Sequence, residues 1–379
     1  MATFKNKSFN LVYVHAALQA LVMHGGEGFA FVYLLKAGIS TSVVLLCIAV
    51  MFASRLFFRM LVLPVALRFG LRNTLIVSVV VEGASYLILP MVTGTGPLLY
   101  LYLALWAASS SFYWTTYHTY VAQLGNNESR GAQVSAMEFF GMIAGIAAPL
   151  LMGFLLTWFN PWVGFGFIAF AMIMAAVPFM FGPHFDVAQN VTLPRSATNT
   201  AQLLMITDGI RSAATHFVWL IALFITLSSN YVAFGGALAL AGLTGAFMGL
   251  FVGKWIDVGK GAHAAGVGYG AMVISSLVKC FGFHIPWVAV TANALYSAAW
   301  PSYATSLNSQ VYNQARRSAC PLRFHVVAEG GWDIGMTIGC GFAAVLVHFG
   351  FGFFWPLALG VVGCGLGYFV LLRTMEKAA

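Results

Sequence analysis

Long apolar stretches separated by short polar breaks run through the whole sequence. The breaks contain Gly, Pro, Asn and charged residues, and twelve of the stretches are long enough to cross a bilayer as helices. We predict spans at 10–35, 42–67, 73–93, 97–123, 131–157, 161–182, 201–226, 232–257, 262–284, 286–312, 323–349 and 352–372. Runs of this length are typical of helices and lack the alternation of a membrane barrel. The pattern therefore predicts an all-α integral membrane protein.

The composition agrees with a chain whose surroundings are mainly lipid. Hydrophobic residues make up 60% of the 379 residues and charged residues only 7%, whereas about a quarter of the residues in a soluble domain are charged. So few polar side chains cannot cover a water-exposed surface, so we expect a lipid bilayer as the main solvent. The five cysteines are scattered through apolar runs, which indicates small hydrophobic side chains rather than disulfides or metal ligands.

Positive charge is concentrated in alternate connections between the predicted spans. If both chain ends lie in the cytoplasm, the inner segments contain thirteen basic residues and the outer connections contain Lys36 alone. This asymmetry predicts a multi-pass protein of the cell membrane with cytoplasmic N and C termini. The net charge of +8 then belongs to loops that face lipid head groups, and no nucleic-acid partner is implied.

The sequence divides into two similar halves. The longest polar connection, 183–200, lies at the midpoint, and we predict a six-helix bundle at 1–182 and another at 201–379. In spans four and ten a Trp-x-x-Tyr segment precedes an arginine by the same number of residues, and a glutamate occupies a matching place early in spans five and eleven. The matching residues are Trp114, Arg130 and Glu138 in the first half and Trp300, Arg316 and Glu329 in the second. Such repeats are typical of secondary transporters.

Two loops and one span carry motifs of a known family. The loop after span eight, "GKWIDVGKG", has a glycine, three residues, Asp257 and then basic residues around another glycine, which comes one residue early. The loop after span two, "PVALRFGLR", has Arg68 in the place of the acid, and span five contains "GMIAGIAAPLLMG". The loop after span eight resembles the signature loop of the major facilitator superfamily. Span five is similar to the Gly-Pro motif of that family's proton-driven exporters, with Ala148 where a glycine is usual.

The resemblance covers essentially the whole chain and implies an architecture. Members of this superfamily have six plus six helices and work by alternating access to a site between the two halves. The resemblance also implies that spans one, four, seven and ten line a central cavity. Spans two and eleven are then expected to face each other across the boundary between the halves.

Charged residues inside the spans are candidates for function, because buried charges are costly in a membrane. Arg55 and Arg59 lie four residues apart on one face of span two, as do Glu329 and Asp333 on span eleven. At 1.5 Å per residue from the cytoplasmic end of each helix, Arg59 lies about 12 Å deep and Glu329 about 9 Å deep. On the same count Arg55 lies about 18 Å deep and Asp333 about 15 Å deep. We therefore predict an inter-half charge ladder that closes the cytoplasmic side; the alternative is a static pair within the first half between an arginine and Glu82. Further candidates for charges between the halves are Glu138, Lys254 and Asp257.

The stretch "VMHGGEGFAF" places His24 and Glu27 among glycines in span one. The span offers no basic residue to Glu27, and a carboxyl group in a partly dehydrated cavity can bind and release a proton near neutral pH. The glycines allow the span to bend or a neighbouring helix to approach closely. We predict a hinge that responds to protons or substrate, with Glu27 as the proton site and His24 and Asp208 as further candidates. The alternative is a solvated Glu27 near the outer surface.

Aromatic side chains in the cavity-lining spans are candidates for solute contacts. Rings with one polar tip suit flat or amphipathic organic molecules and hold cations on their faces. We predict contacts from Gln19, Tyr113, Trp114, Tyr117, His118, Arg211, Asn293, Tyr296, Trp300 and Tyr303. The alternatives are an interfacial aromatic belt for the rings and a mutual pair for Asp208 and Arg211. Lys279, deep in span nine, is expected to extend toward the outer surface.

These observations predict a secondary transporter of a small organic solute, aromatic or amphipathic, coupled to protons. The span-five motif favours export. The alternatives are an importer of an organic anion or metal chelate drawn by Arg55 or Arg211, a divalent-metal transporter that uses His24, Glu27, Asp208 and His216, and a non-transporting receptor or lipid-handling protein. The sequence contains no phosphate-binding loop and no local catalytic set, so we expect neither an ATP site, a cofactor nor an enzyme, and we expect a monomer.

Overall fold

The computed structural model describes residues 7–124, 130–185, 187, 193, 198–257 and 261–376. This part of the chain forms twelve helices. The first six are α1, made of Lys7–Val22, the π-helical turn Met23–Glu27 and Gly28–Lys36; α2, Thr41–Phe69; α3, Leu71–Tyr86; α4, Pro97–Leu124; α5, Arg130–Trp158; and α6, Pro161–Met180. The other six are α7, made of Asn199–Ser212, the π-helical turn Ala213–Val218 and Trp219–Thr226; α8, Tyr231–Asp257; α9, Gly261–Gly282; α10, Pro286–Arg317; α11, Pro321–His348; and α12, Phe354–Glu376.

Local sequence signals explain where several helices begin and end. Helices α4, α6, α10 and α11 each begin with a proline, whose fixed φ suits the first turn and whose missing N–H would have no partner there. Asn160 precedes α6, and its side chain accepts a hydrogen bond from the Val163 N–H at 3.1 Å. Gly70, with a φ of +80°, separates α2 from α3, because only glycine adopts that conformation without strain. The twelve predicted spans each coincide with one of the helices.

Most of these helices are suited to a membrane. Among the described residues, ten helices are long and apolar enough to cross it by length and composition. Their outward faces carry large exposed apolar side chains, such as Phe57 (60% exposed) and Ile274 (63% exposed), as expected where lipid replaces water. The expected all-α membrane fold is therefore confirmed.

The two helices that are less apolar are α4 and α10, which occupy matching positions in the two halves. In α4 the hydroxyl groups donate to carbonyl oxygens of the preceding turn: Ser111 Oγ to Ala107 O at 2.8 Å, and Thr115 Oγ1 to Ser111 O at 3.0 Å. This local bonding gives each hydroxyl hydrogen an acceptor within α4 itself. A polar helix can therefore lie in the centre of an apolar bundle.

Helix contacts repeat between the two halves. In the first half α1 packs against α5 and α6, α3 against α4 and α6, and α2 against α4. In the second half α7 packs against α11 and α12, α9 against α10 and α12, and α8 against α10. The halves meet along two contacts, one between α2 and α11 and the other between α5 and α8. Because α2 corresponds to α8 and α5 to α11, exchanging the halves converts one contact into the other. The fold therefore consists of two six-helix pseudo-repeats related by an approximate two-fold axis.

Glycines allow the closest helix contacts. Gly331, Gly335 and Gly339 recur every four residues on α11 and face the backbone of α7, and a Cβ atom on Gly331 would lie 2.5 Å from the Gln202 carbonyl oxygen. Between α5 and α8, a Cβ on Gly242 would lie 2.8 Å from the Gly145 carbonyl oxygen. Small residues of this kind let helix backbones touch in lipid, where apolar side chains alone give little preference for a partner.

Candidate functional site

Helices α1 and α7, which correspond in the two halves, are each interrupted near the middle by a π-helical turn. Such turns insert one extra residue into a helix and are frequent at functional sites. The turn Met23–Glu27 contains His24, and the turn Ala213–Val218 contains His216. His216 is exposed although the other residues of its turn are buried. Most residues in the apolar part of α7 are buried inside the protein. This exposed histidine therefore faces space inside the helix assembly.

Four ionisable side chains that act electrostatically on one another form what we call the acid cluster: Glu27 of α1, Glu82 and Tyr86 of α3, and Tyr102 of α4. Glu27 and Glu82 lie within electrostatic range of each other and of Arg55. Glu82 is 6% exposed, and neither its Oε2 nor the Tyr102 hydroxyl has a hydrogen-bond partner among the described residues. Neither glutamate forms an ion pair within 4 Å in that part of the chain. The static pair between Glu82 and an arginine is therefore not formed.

The predicted contact between α2 and α11 centres on one carboxylate. In this gate cluster Arg59 Nε donates to Asp333 Oδ2 at 2.7 Å, and Arg55 Nε lies 3.0 Å from Asp333 Oδ1. Arg59 Nη1 also donates to Thr115 Oγ1 of α4 at 2.8 Å. All three charged side chains are at most 2% exposed. The ion pairs therefore lie in a dry environment, where loss of one partner is expensive.

The other members of the predicted charge ladder have different positions. Glu329 is half-buried and pairs with neither arginine within 4 Å, because both arginines turn toward Asp333. The pairing of Arg59 with Glu329 inferred from helix depth is therefore wrong. Glu138 lies on α5, and Lys254 and Asp257 lie on α8, but their side chains fall outside the part of the structure that is described.

A second charged group lies in the other half, where α7 faces α10. This cation cluster comprises Asp208, Arg211, Lys279, Tyr296, Trp300 and Tyr303. Arg211, 1% exposed, donates from Nε to Asp208 Oδ1 at 2.9 Å and from Nη1 to the Tyr296 hydroxyl. Its guanidinium carbon lies 5.2 Å from the centre of the Trp300 ring and 4.7 Å from that of Tyr303. The arrangement surrounds one cation with three aromatic rings.

Asp208 is fully engaged. Besides Arg211, it accepts hydrogen bonds from the Tyr303 hydroxyl at 2.6 Å and from Trp332 Nε1 at 2.9 Å. The expected mutual pair of Asp208 and Arg211 is thus formed, and it is supplemented by bonds from α10 and α11. Glu27 lies in a different cluster, so the two acids do not share a site.

Lys279 does not extend toward the surface, and the expectation that it does so is wrong. It is 1% exposed, and its Nζ donates to the Thr215 carbonyl oxygen at 2.9 Å. Nζ lies 3.7 Å from the centre of the Tyr296 ring and 4.6 Å from that of Trp219. The side chain turns inward because the widened turn of α7 presents a carbonyl group and aromatic faces to it. The position of Lys279 along α9 does not by itself indicate in which direction its side chain points.

The aromatic candidates of the first half are mostly packed. The Tyr113 hydroxyl lies 2.8 Å from His15 Nε2, and Tyr113 stacks on Tyr117 with ring centres 5.3 Å apart. Both rings are buried among α1, α4 and α6, whereas Trp114 is half-buried. His118 stacks with His325 of α11 at 5.6 Å and so joins the two halves.

The remaining candidates bond within the helix assembly. Asn293 Oδ1 accepts from Trp219 Nε1 at 2.9 Å, which links α10 to α7. Gln19 is 5% exposed, and its Oε1 has no partner among the described residues. No group of three or more His, Cys, Asp or Glu side chains suited to a metal ion occurs in the ranges that the structure describes. The four residues considered for a divalent metal are thus not brought together.

Trp332, which the sequence pattern did not single out, connects the gate cluster to the cation cluster. It donates to Asp208, while its ring centre lies 5.5 Å from the Arg55 guanidinium carbon and 5.3 Å from the Phe52 ring. It also precedes Asp333 in the sequence. A change at the gate cluster therefore has a direct packing route to the cation cluster through α11.

Two pseudo-symmetric six-helix bundles with ionisable groups buried between them are an architecture of many secondary transporters. The family model of the Major Facilitator Superfamily matches residues 16–320, and the chain belongs to that superfamily. No curated protein matches the sequence.

Solved transporters share the fold. A D-xylose–proton symporter has a TM-score of 0.70 at 14% identity, with 96% of each chain covered. A peptide transporter has a TM-score of 0.71 at 13% identity, covering 98% of this chain and 95% of its own. The nucleoside transporter NupG has a TM-score of 0.67 at 12% identity, covering 97% and 99%. At these identities the likeness establishes the fold alone.

Proposed function

We propose that the protein is a proton-coupled secondary transporter of a small organic solute with an aromatic or amphipathic part. One observation carries this proposal: the two halves contain different ionisable clusters. Among the described residues, two carboxyl groups without an ion pair lie in the first half, and Arg211 and Lys279 lie against aromatic rings in the second. The gate cluster lies between them. This arrangement suits a mechanism in which a proton and a solute bind separately and both affect the same inter-half contact.

Charge balance supports Glu27 and Glu82 as the proton site. Arg55 and Arg59 contribute two positive charges, and Asp333, Glu27, Glu82 and Glu329 would contribute four negative charges if all were ionised. A dry environment disfavours excess charge, so we assign one proton to Glu27 and Glu82. Asp208 is a poorer candidate because Arg211 already matches its charge.

The solute is proposed to bind beside α10. Trp300 is 44% exposed, Tyr296 is half-buried, and both rings lie against Arg211. Partly exposed rings in a buried setting supply apolar contact area for a solute. A flat organic molecule could stack on Trp300 without displacing a packed core residue.

The gate cluster is proposed to open as the halves, 1–182 and 201–379, which the 183–200 connection separates in the sequence, rock against each other. Arg55 and Arg59 belong to the first half and Asp333 to the second, so separation of α2 from α11 must break both ion pairs. Protonation next to Arg55 changes the field at this contact. The basic residues in alternate connections support cytoplasmic termini in a cell membrane.

The test is proton movement in vesicles that contain the purified protein and an internal pH dye. We expect some members of a solute panel to trigger a pH change, whose sign distinguishes symport from antiport. Glu27→Gln should abolish that change while exchange of labelled solute continues. Binding of a solute without any movement of solute or protons would contradict the proposal and favour a receptor.

We propose that the direction of transport is export, because span five is similar to the Gly-Pro motif of proton-driven exporters. In α5 the residues Gly145, Pro149 and Gly153 lie against the backbone of α8, and a Cβ on Gly153 would lie 2.6 Å from the Tyr231 carbonyl oxygen. This close contact between the backbones of α5 and α8 is the second surface on which the halves meet. In vesicles, uptake of protons against release of preloaded solute would support export.

A further inference from the structure

Among the described residues, the buried Lys279 has no acidic partner. Its ammonium group has three N–H donors, of which the Thr215 carbonyl oxygen accepts one. The faces of Tyr296 and Trp219 also lie against it. Within the described residues no Asp or Glu oxygen lies within 4 Å of Nζ. A buried ammonium without a carboxylate is costly and calls for a function.

The neighbouring charges do not compensate for Lys279. Arg211 acts on it with a charge of the same sign, and the charge of Arg211 is already matched by Asp208 at 2.7 Å. With Lys279 protonated, the cation cluster contains two positive charges and one negative charge. The surplus is a single positive charge, which one monovalent anion would neutralise.

Hydrogen-bond groups converge on one position in this cluster. Arg211 Nη1 donates to the Tyr296 hydroxyl, and Thr215 Oγ1 lies 2.9 Å from the same oxygen. The ring of Tyr296 covers Lys279 Nζ. If the Tyr296 side chain rotates away, one guanidinium N–H, one hydroxyl and the ammonium group all face the space that it leaves. These are groups that bind carboxylate oxygens.

We propose that Lys279 and Arg211 bind the carboxylate of a monoanionic aromatic solute, whose oxygen takes the place of the Tyr296 hydroxyl. This inference rests on the proposed function and narrows its solute to organic acids. Trp300 then contacts the ring of the solute, since its own ring lies 5.2 Å from Arg211 and is partly exposed. Thr215 completes the site from the π-helical turn of α7, which is why that turn is placed next to Lys279.

The experiment compares matched acids and amides on purified protein in detergent. The probes are benzoate, 3-phenylpropionate and indole-3-acetate, each with its neutral amide, and the measurement is the Kd by calorimetry. We expect at least one acid to bind about ten- to a hundredfold more tightly than its amide, as for a charge-assisted hydrogen bond. Lys279→Met should remove this preference, and Lys279→Arg should retain part of it.

The matched control is Lys36→Met, because Lys36 is an exposed lysine at the end of α1, 5.8 Å from a tyrosine ring. Its removal should leave the preference for acids unchanged. The acid–amide comparison on the unaltered protein tests the proposal even if Lys279→Met does not fold. Equal binding of acids and amides across the panel, or an unchanged preference in folded Lys279→Met, would overturn it.

Failure of this inference differs from failure of the proposed function. If neutral solutes drive proton movement in vesicles and Lys279→Met transports them normally, transport stands and the carboxylate site is wrong. If acids bind through Lys279 but neither solute nor protons cross the membrane, the site stands and the protein is not a coupled transporter.

Discussion

Asp333 of α11 accepts a hydrogen bond from Arg59 of α2 at 2.7 Å, across the boundary between the two halves. The same carboxylate lies 3.0 Å from Arg55 Nε. One acid thus holds two cations of the opposite half in a buried position. This relationship makes Asp333 the residue on which closure of the α2–α11 contact depends most.

Asp333→Asn should therefore be severe. It leaves two buried arginines without a carboxylate, and loss of one partner in a buried pair costs about 3–5 kcal/mol. We expect a lower thermal midpoint in detergent and at least a tenfold loss of transport in vesicles. Glu329→Gln is the control, since Glu329 is half-buried and forms neither of these ion pairs. Equal effects of the two substitutions would show that the pairing does not control the gate.

Glu27 and Glu82 should act as one proton site. Glu27→Gln and Glu82→Gln are each expected to abolish the solute-triggered pH change, because each removes one member of a pair that shares a proton. Exchange of labelled solute should continue in both. The double variant should be no worse than either single one, since residues that act together are non-additive. Additive losses, or normal coupling in Glu82→Gln, would show that Glu82 is not part of the site.

Gly26→Ala should destabilise the π-helical turn of α1. A Cβ at this position would lie 2.9 Å from Ile168 Cγ2 and 3.0 Å from the Tyr86 hydroxyl, and overpacking of this kind costs about 1–3 kcal/mol. Thermal unfolding in detergent measures the effect. Gly236→Ala on α8 is the control, because nothing lies within 4 Å of its Cβ position. A similar midpoint for both variants would mean that α1 moves aside at little cost.

Trp300→Ala should weaken solute binding without loss of fold. The ring is 44% exposed and contacts Arg211, so we expect the Kd of a transported solute to rise roughly two- to tenfold with an unchanged thermal midpoint. Trp287→Ala is the control: Trp287 lies at the start of the same helix and is 73% exposed. An equal loss of affinity in both variants would argue against a solute contact at Trp300.

Much of the architecture could be predicted from the sequence alone. Span length and apolar content determine which segments cross a membrane, and prolines such as Pro97 and Pro286 mark where helices begin. Both are local properties, so they can be read without knowledge of neighbouring helices. The spacing of Arg55 and Arg59 likewise predicted a charged face on α2, because four residues make about one turn.

The tertiary structure decided what those side chains contact. Depth along a helix suggested Glu329 for Arg59, but the direction of each side chain around the helix axis and the path of α11 selected Asp333. Lys279 turned inward because a carbonyl group and two rings from α7 and α10 were there to receive it. Such contacts depend on the relative rotation and separation of helices far apart in the chain. A periodic apolar pattern determines that a helix lies in the membrane, and packing against its neighbours determines where each of its polar side chains points.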